Sequence, residues 1–167
     1  SFAFGLDAAG NILRLTFLDR SGRLTLAPSG YAGVAETFDV RGLTLTNTPT
    51  DTAERPATGY NTTRYDYDAR GLETRRLFTD SSSQLIPNRD GHVGWTTAHD
   101  ARGNVKEIAM LGVGDDNTAA IVKSIERFSY DRWDRRIERA SFSHAGRPVE
   151  DSDGIHATLD RYDEAGN

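Results

Sequence analysis

The side chains able to do chemistry in this sequence are few and scattered. The four histidines, His92, His99, His144 and His156, include no pair at the helical spacing of a zinc-binding motif. Ser81, Ser82 and Ser83 form a serine cluster, but it lacks the glycine-flanked elbow that exposes a nucleophile. The chain has no cysteine, which excludes disulfides, thiolate catalysis and Cys-type zinc sites. Asp115-Asp116-Asn117 and Asp151-Ser152-Asp153-Gly154 offer the oxygen donors that calcium takes, without the twelve-residue ligand pattern of an EF-hand. On these residues we expect no catalytic group, no cofactor and no metal, and a protein that is not an enzyme.

The aromatic residues carry a different chemistry. Tyr65, Tyr67, Trp95, Phe128 and Tyr130 alternate along strand-like segments, and a stripe of such rings can stack on sugars or grip a peptide. The competing expectation is that they form the covered face of a sheet. Trp133 differs, because it stands inside a turn and should be exposed. Trp133, Trp95, Tyr65 and Tyr67 are therefore the candidate ligand contacts, with a glycan or another protein as the candidate partner. The net charge is −5 with both signs mixed along the chain, which disfavours nucleic acid and anionic membrane as partners. No apolar run approaches the roughly 20 residues of a membrane span, so no membrane insertion is expected.

What must position these residues is a repeat. Asp7, Asp39, Asp68, Asp100, Asp131 and Asp163 are spaced by 32, 29, 32, 31 and 32 residues. Gly follows three positions later at Gly10, Gly42, Gly71, Gly103 and Gly166, and Asp134 takes its place once. Asp at the first position of a type I turn accepts hydrogen bonds from the N–H groups ahead of it, and Gly at the fourth takes a left-handed conformation. The pair is a common three-residue hairpin connection. Two further markers keep the same phase. Leu18-Asp19, Thr50-Asp51 and Thr79-Asp80 follow their turns, and Gly30-Tyr31, Gly59-Tyr60, Gly91-His92 and Gly154-Ile155 precede the next one.

Each unit reads as strand, turn, strand, connector. The residues one, three and five before each turn Asp share a face, as in Tyr67, Tyr65, Thr63 and His99, Thr97, Trp95. Aromatic and β-branched types dominate that face and the opposite one is polar or small, which argues for a sheet with one covered face. The outgoing strands span 11–18, 43–48, 72–78, 104–111 and 135–142. Segment 103–111 also carries modest helix formers, and 118–125 reads either as a helical turn or as a longer strand. The connectors hold Pro28-Ser29-Gly30, Pro56, Pro87, Gly146 and Pro148. The fold expected is all-β: an antiparallel meander of about five tandem hairpin repeats of roughly 31 residues, in one extended or curled sheet. Residues 1–167 read as a single repeat-array domain, a fragment of a longer repeat protein, whose first partners are flanking repeats of the same chain.

Tyr67-Asp68-Ala69-Arg70-Gly71, His99-Asp100-Ala101-Arg102-Gly103-Asn104 and Tyr162-Asp163-Glu164-Ala165-Gly166-Asn167 resemble the Tyr-Asp-x-x-Gly-Asn signature of bacterial YD repeats of the RHS type, at a period longer than is usual for that family. The resemblance implies a β-repeat scaffold of a larger bacterial surface or secreted protein, set outside the cytoplasm. It also implies, as a further alternative, a shell segment of an RHS-like toxin. A carbohydrate-binding module using exposed aromatics is the reading from a different class.

Overall fold

The computed structural model describes residues 1–59, 61–114, 120–150 and 153–163. The eleven strands among them are β1 (Phe2–Leu6), β2 (Ile12–Phe17), β3 (Gly33–Phe38), β4 (Thr44–Thr50), β5 (Thr62–Tyr67), β6 (Glu73–Thr79), β7 (Gly94–His99), β8 (Val105–Val113), β9 (Ala120–Tyr130), β10 (Arg136–Ser143) and β11 (Ala157–Leu159). They form one open antiparallel sheet in chain order, and no helix occurs among the described residues. The all-β meander read from the repeat is the fold. The two segments with an alternative helical reading, 103–111 and the described part of 118–125, are both strand. The chain divides into two compact units, Ser1–Asp66 with Arg76–Ile86, and Tyr67–Arg75 with Pro87–Asn167.

One local device explains the regular hairpins. At Asp7 the backbone N–H bonds to the Asn11 carbonyl, and Gly10 N–H bonds back to the Asp7 carbonyl. The same pair of bonds recurs at Asp39, Asp68, Asp100 and Asp131. The fourth residue is left-handed each time: Gly10 at φ 89°, Gly103 at φ 95° and, without glycine, Asp134 at φ 62°. A β-bulge follows just beyond the turn in each hairpin with a described register. Leu6 faces Ile12 while Gly5 faces Arg14, which leaves Leu13 unpaired, and Leu45, Lys106 and Ile137 take the same place. Such a bulge restores the side-chain alternation that the turn would otherwise offset.

The connectors use the same device again. Asp19, Asp51 and Asp80 each close an identical turn twelve residues after the hairpin turn, and Ser143 does so in the fifth unit. Glu54 (φ 60°) and Ser83 (φ 70°) are the left-handed residues of two of these. Ala27 with Gly30, and Asn88 with Gly91, close a further copy. Each connector then folds back on its own outgoing strand, giving the bridges Leu18 to Leu24, Thr50 to Pro56, Thr79 to Leu85 and Phe142 to Pro148. The fourth unit has Gly112 where the others have the connector turn. There β8 runs on to Val113 and pairs with β9 as far as Ala120. The acidic segment Asp115-Asp116-Asn117, the residues Asp151 and Ser152, and the last four residues of the sixth turn lie outside the described residues.

The aromatic face is not the core. Tyr65, Tyr67 and Trp95 are only half-buried, and Phe2, Phe4 and Leu6 are 63%, 53% and 59% exposed. The buried side chains include Ala32, Thr50, Ala57 and Thr79 in the first unit, and Val93, Ala109, Leu111 and Ala140 in the second. The described connectors return over the strand ends. Ala57 N–H bonds to the Pro49 carbonyl and Ile86 N–H to the Phe78 carbonyl. Ala32 N–H bonds to Thr50, and Val93 N–H to Leu111.

Small residues at these points are a packing requirement. A β-carbon on Gly33 would sit 2.4 Å from the Leu15 carbonyl oxygen and 3.3 Å from the Thr16 α-carbon. A backbone carbonyl in a paired strand cannot retreat without breaking its ladder. Gly33→Ala is therefore expected to lower stability by about 1–3 kcal/mol, read from the denaturant midpoint. Gly5→Ala, whose added carbon meets only the Arg14 β-carbon at 3.7 Å, should leave that midpoint within error.

Candidate functional site

The polar groups of the hairpin turns are arranged as a ladder. In each turn the Asp Oδ1 accepts two backbone N–H bonds. At Asp7 they come from Ala9 (2.8 Å) and Asn11 (2.9 Å), and at Asp100 from Arg102 (2.8 Å) and Asn104 (2.9 Å). The Oδ2 takes a side chain: Asn11 at Asp7, Arg41 at Asp39, Arg70 at Asp68, Asn104 at Asp100 and Arg135 at Asp131. Connector aspartates Asp19, Asp51 and Asp80 accept backbone bonds in the same way.

These bonds hold all eight carboxyls below the ordinary value of 3.8. The largest cause at Asp7, Asp19 and Asp80 is the side-chain bond from Asn11, Ser21 or Ser82. At Asp39, Asp51 and Asp68 it is the backbone bond from Leu43, Arg55 or Leu72. At Asp100 and Asp131 desolvation is the largest single effect and acts upward, but the bonds from Asn104 and Arg135 and from the backbone together outweigh it. The carboxylates are thus held ionised as acceptors, the opposite of what a general acid needs.

The rungs are joined by arginine. Arg70 grips its own Asp68 and reaches the Asp100 carbonyl of the next turn at 2.8 Å. Arg102 does the same one step on, to the Asp131 carbonyl at 2.8 Å and the Arg132 carbonyl at 3.2 Å. It also pairs with Asp134 at 3.0 Å, and Asn104 bonds that carboxylate at 2.7 Å. A second fastening sits just before the turn. Tyr130 OH donates to the Val105 carbonyl and Tyr162 OH to the Arg136 carbonyl, both at 2.9 Å and each one repeat back. The sequence carries these signals, since Arg41, Arg70 and Arg102 all stand two residues after a turn Asp. Only the geometry shows that Arg70 and Arg102 connect repeats.

Trp133 breaks this pattern. It occupies the position held by Arg41, Arg70 and Arg102, and it is 60% exposed. The Arg132 guanidinium lies 3.8 Å from its ring centroid and that of Arg135 lies 4.8 Å away. Arg135 also stacks on Tyr162 at 4.5 Å while bonding Asp131 at 2.7 Å. A groove of about 430 Å³ beside it is lined by Arg135, Ile137, Leu159, Arg161 and Tyr162 among others. The other three candidates are elsewhere. Tyr65 is on β5 in the first unit, under the Arg76 guanidinium at 4.9 Å. Tyr67 closes β5 and Trp95 lies on β7 opposite Met110, both in the second unit. His99, in the aromatic slot of its repeat, pairs with Val105. No group of three or more acidic or histidine side chains able to hold a metal occurs among the described residues.

No family model matches the chain, and no curated protein matches it. Among solved structures it is similar to a chain of the crystal structure of TcdB2-TccC3-TEV, with a TM-score of 0.45 and 16% sequence identity. The match covers 99% of this chain and 9% of that one.

The ladder has two measurable effects. Because the turn carboxyls are depressed in the folded chain, their contribution is complete above about pH 5 and is lost as pH falls through their folded values. Thermal unfolding should therefore be flat from about pH 8 to about pH 5 and drop steeply below the ordinary carboxyl value of 3.8. In Arg102→Ala the amides of Asp134 and Arg135, which close the next turn, should exchange several-fold faster with solvent. Faster exchange confined to residues 102–104 would show that the turns do not support one another.

Proposed function

We propose that this chain is a non-enzymatic scaffold, a β-repeat element whose role is to hold a defined surface within a larger protein. The observation that carries the reading is the use of the charged residues. Asp68 and Asp100 are taken up by their own turns, and Arg70, Arg102 and Asn104 reach from one turn to the next, so these side chains are committed to building and joining repeats. A sheet built this way gains stability from each neighbour junction. The setting that goes with the reading is a bacterial surface or secreted protein.

The absence of cysteine allows a clean test. Ala101 is exposed in a hairpin turn and Ala145 in a connector turn of the same unit, so Ala101→Cys with Ala145→Cys can carry a donor and an acceptor dye. A scaffold gives one narrow distance distribution, unchanged by added sugars or peptides. A broad distribution would overturn the reading.

The Trp133 corner favours a second reading, a glycan-binding module. An exposed indole beside arginines suits a sugar bearing a carboxylate or sulfate. On a glycan array this reading requires saturable binding that Trp133→Ala removes, and an array with no bound sugar eliminates it.

A further inference from the structure

We propose that the cavity between the second and third connectors, inside the first unit, is a binding site for a primary alkylammonium group, carried by a lysine side chain or a free aliphatic amine. The proposal goes beyond the scaffold reading, because it assigns a ligand. Two departures from the repeat meet in this cavity.

The first is a carboxylate without its cation. In the hairpin turns the Asp Oδ2 is taken by Arg41, Arg70 or Arg135, or by the carboxamide of Asn11 or Asn104. The connector turn at Asp51 follows the same rule. Arg55, four residues on, bonds that Oδ2 at 3.0 Å and 3.3 Å. Asp19 also has an arginine four residues on, Arg23, but Asp80 has Gln84 there. The Asp80 Oδ1 accepts the Ser82 N–H (2.8 Å), the Ser82 hydroxyl (2.7 Å) and the Gln84 N–H (2.9 Å). Its Oδ2 accepts no bond among the described residues. The Ser82 hydroxyl is the largest cause holding this carboxyl below 3.8, so it is ionised at neutral pH.

The second is a polar residue in an apolar slot. Seven residues before the turn Asp, the repeats on either side bury Ala32 (1% exposed) and Val93 (0%). The repeat between them has Asn61, which is only half-buried. Asn61 and Asp80 line the cavity together, and Thr58, Thr62 and Ser81 add hydroxyls. Pro56, Ala57 and Ile86 supply apolar walls. The volume is about 310 Å³, at the lower end for a small-ligand pocket.

This lining selects its ligand. An ammonium group has three N–H donors and no acceptor. Here a carboxylate, a carboxamide oxygen and hydroxyl oxygens can accept, and no arginine or lysine stands among the described lining residues. The apolar walls suit a methylene stem, as the stem of lysine lies along apolar surface while its head stays polar. The Asp80 charge repels an anion, and a neutral sugar would leave that charge unpaired. The bound cation would do at Asp80 what the Arg55 guanidinium does at Asp51.

The test titrates the full chain with n-butylammonium at neutral pH and follows amide shifts by NMR. Saturable shifts are expected at Asn61, Thr62, Asp80 and Ser81. Tetramethylammonium, which has the charge without the N–H donors, should bind at least ten-fold more weakly. Gln84→Arg, which restores the arrangement at Asp51, should abolish binding. Asp80→Asn should weaken it at least ten-fold while keeping the turn, because Asn88 Oδ1 caps its own turn in the same way. Nα-acetyl-lysine methylamide and cadaverine carry the group on a peptide and on a free diamine, and the tighter of the two identifies the source. No saturable binding, equal binding of tetramethylammonium, or binding that survives Gln84→Arg overturns the proposal. So do the same amide shifts with glucose in place of the amine, which would make the cavity a sugar site.

Discussion

A carboxylate accepting two backbone N–H bonds across four residues is the interaction on which this structure depends. In doing so Asp100 Oδ1 fixes the positions of Arg102 and Asn104 and leaves Gly103 left-handed between them. That geometry reverses the chain and places the bulge at Lys106. The bulge in turn determines which residues of β8 share a face with β7. A one-residue slip would invert every side chain of the strand, so the turn sets the register of a whole hairpin. The ladder of arginines then transmits the same phase to the next hairpin.

Apolar burial among the described residues is slight: Val93 and Ala32 are almost wholly enclosed, yet they are small. The connectors turn back early, because Asp19, Asp51 and Asp80 start a second turn as soon as each outgoing strand ends. The fourth unit shows the effect of losing that turn. With Gly112 in place of the turn residue, β8 and β9 extend side by side to Val113 and Ala120.

The hairpins were legible in the sequence because Asp and Gly mark both ends of each main turn. The connector turns were not, although they are the same structure. Glu54 and Ser83 occupy the left-handed position against their intrinsic preference, and Ala27, Asn88 and Ser143 stand where Asp is usual. Backbone bonding tolerates these substitutions, so a search by residue type misses them. The location of the core was illegible for another reason. Alternation along Tyr65 and Tyr67 reports which side of a strand is apolar, not whether anything lies above it. Among the candidate contacts, the exposure of Trp133 followed from its place in a turn, whereas the roles of Arg70 and Arg102 depend on a carbonyl one repeat away.

In a molecule whose repeats are this uniform, departures from the pattern are the informative positions. Arg70 and Arg102 at the third turn position join one repeat to the next, and Ala9 and Trp133 in that position cannot donate the paired bonds that a guanidinium does. Arg135 bonds Asp131 and stacks on Trp133 in its own turn, and stacks on Tyr162 of the next repeat. In the slot before the turn Asp, Leu6, Phe38 and His99 likewise lack the hydroxyl that Tyr130 and Tyr162 use. At Trp133 and Leu6 the slot holds exposed apolar surface. In an array held by polar fastenings, such sites are where the surface is free to serve something other than the array itself.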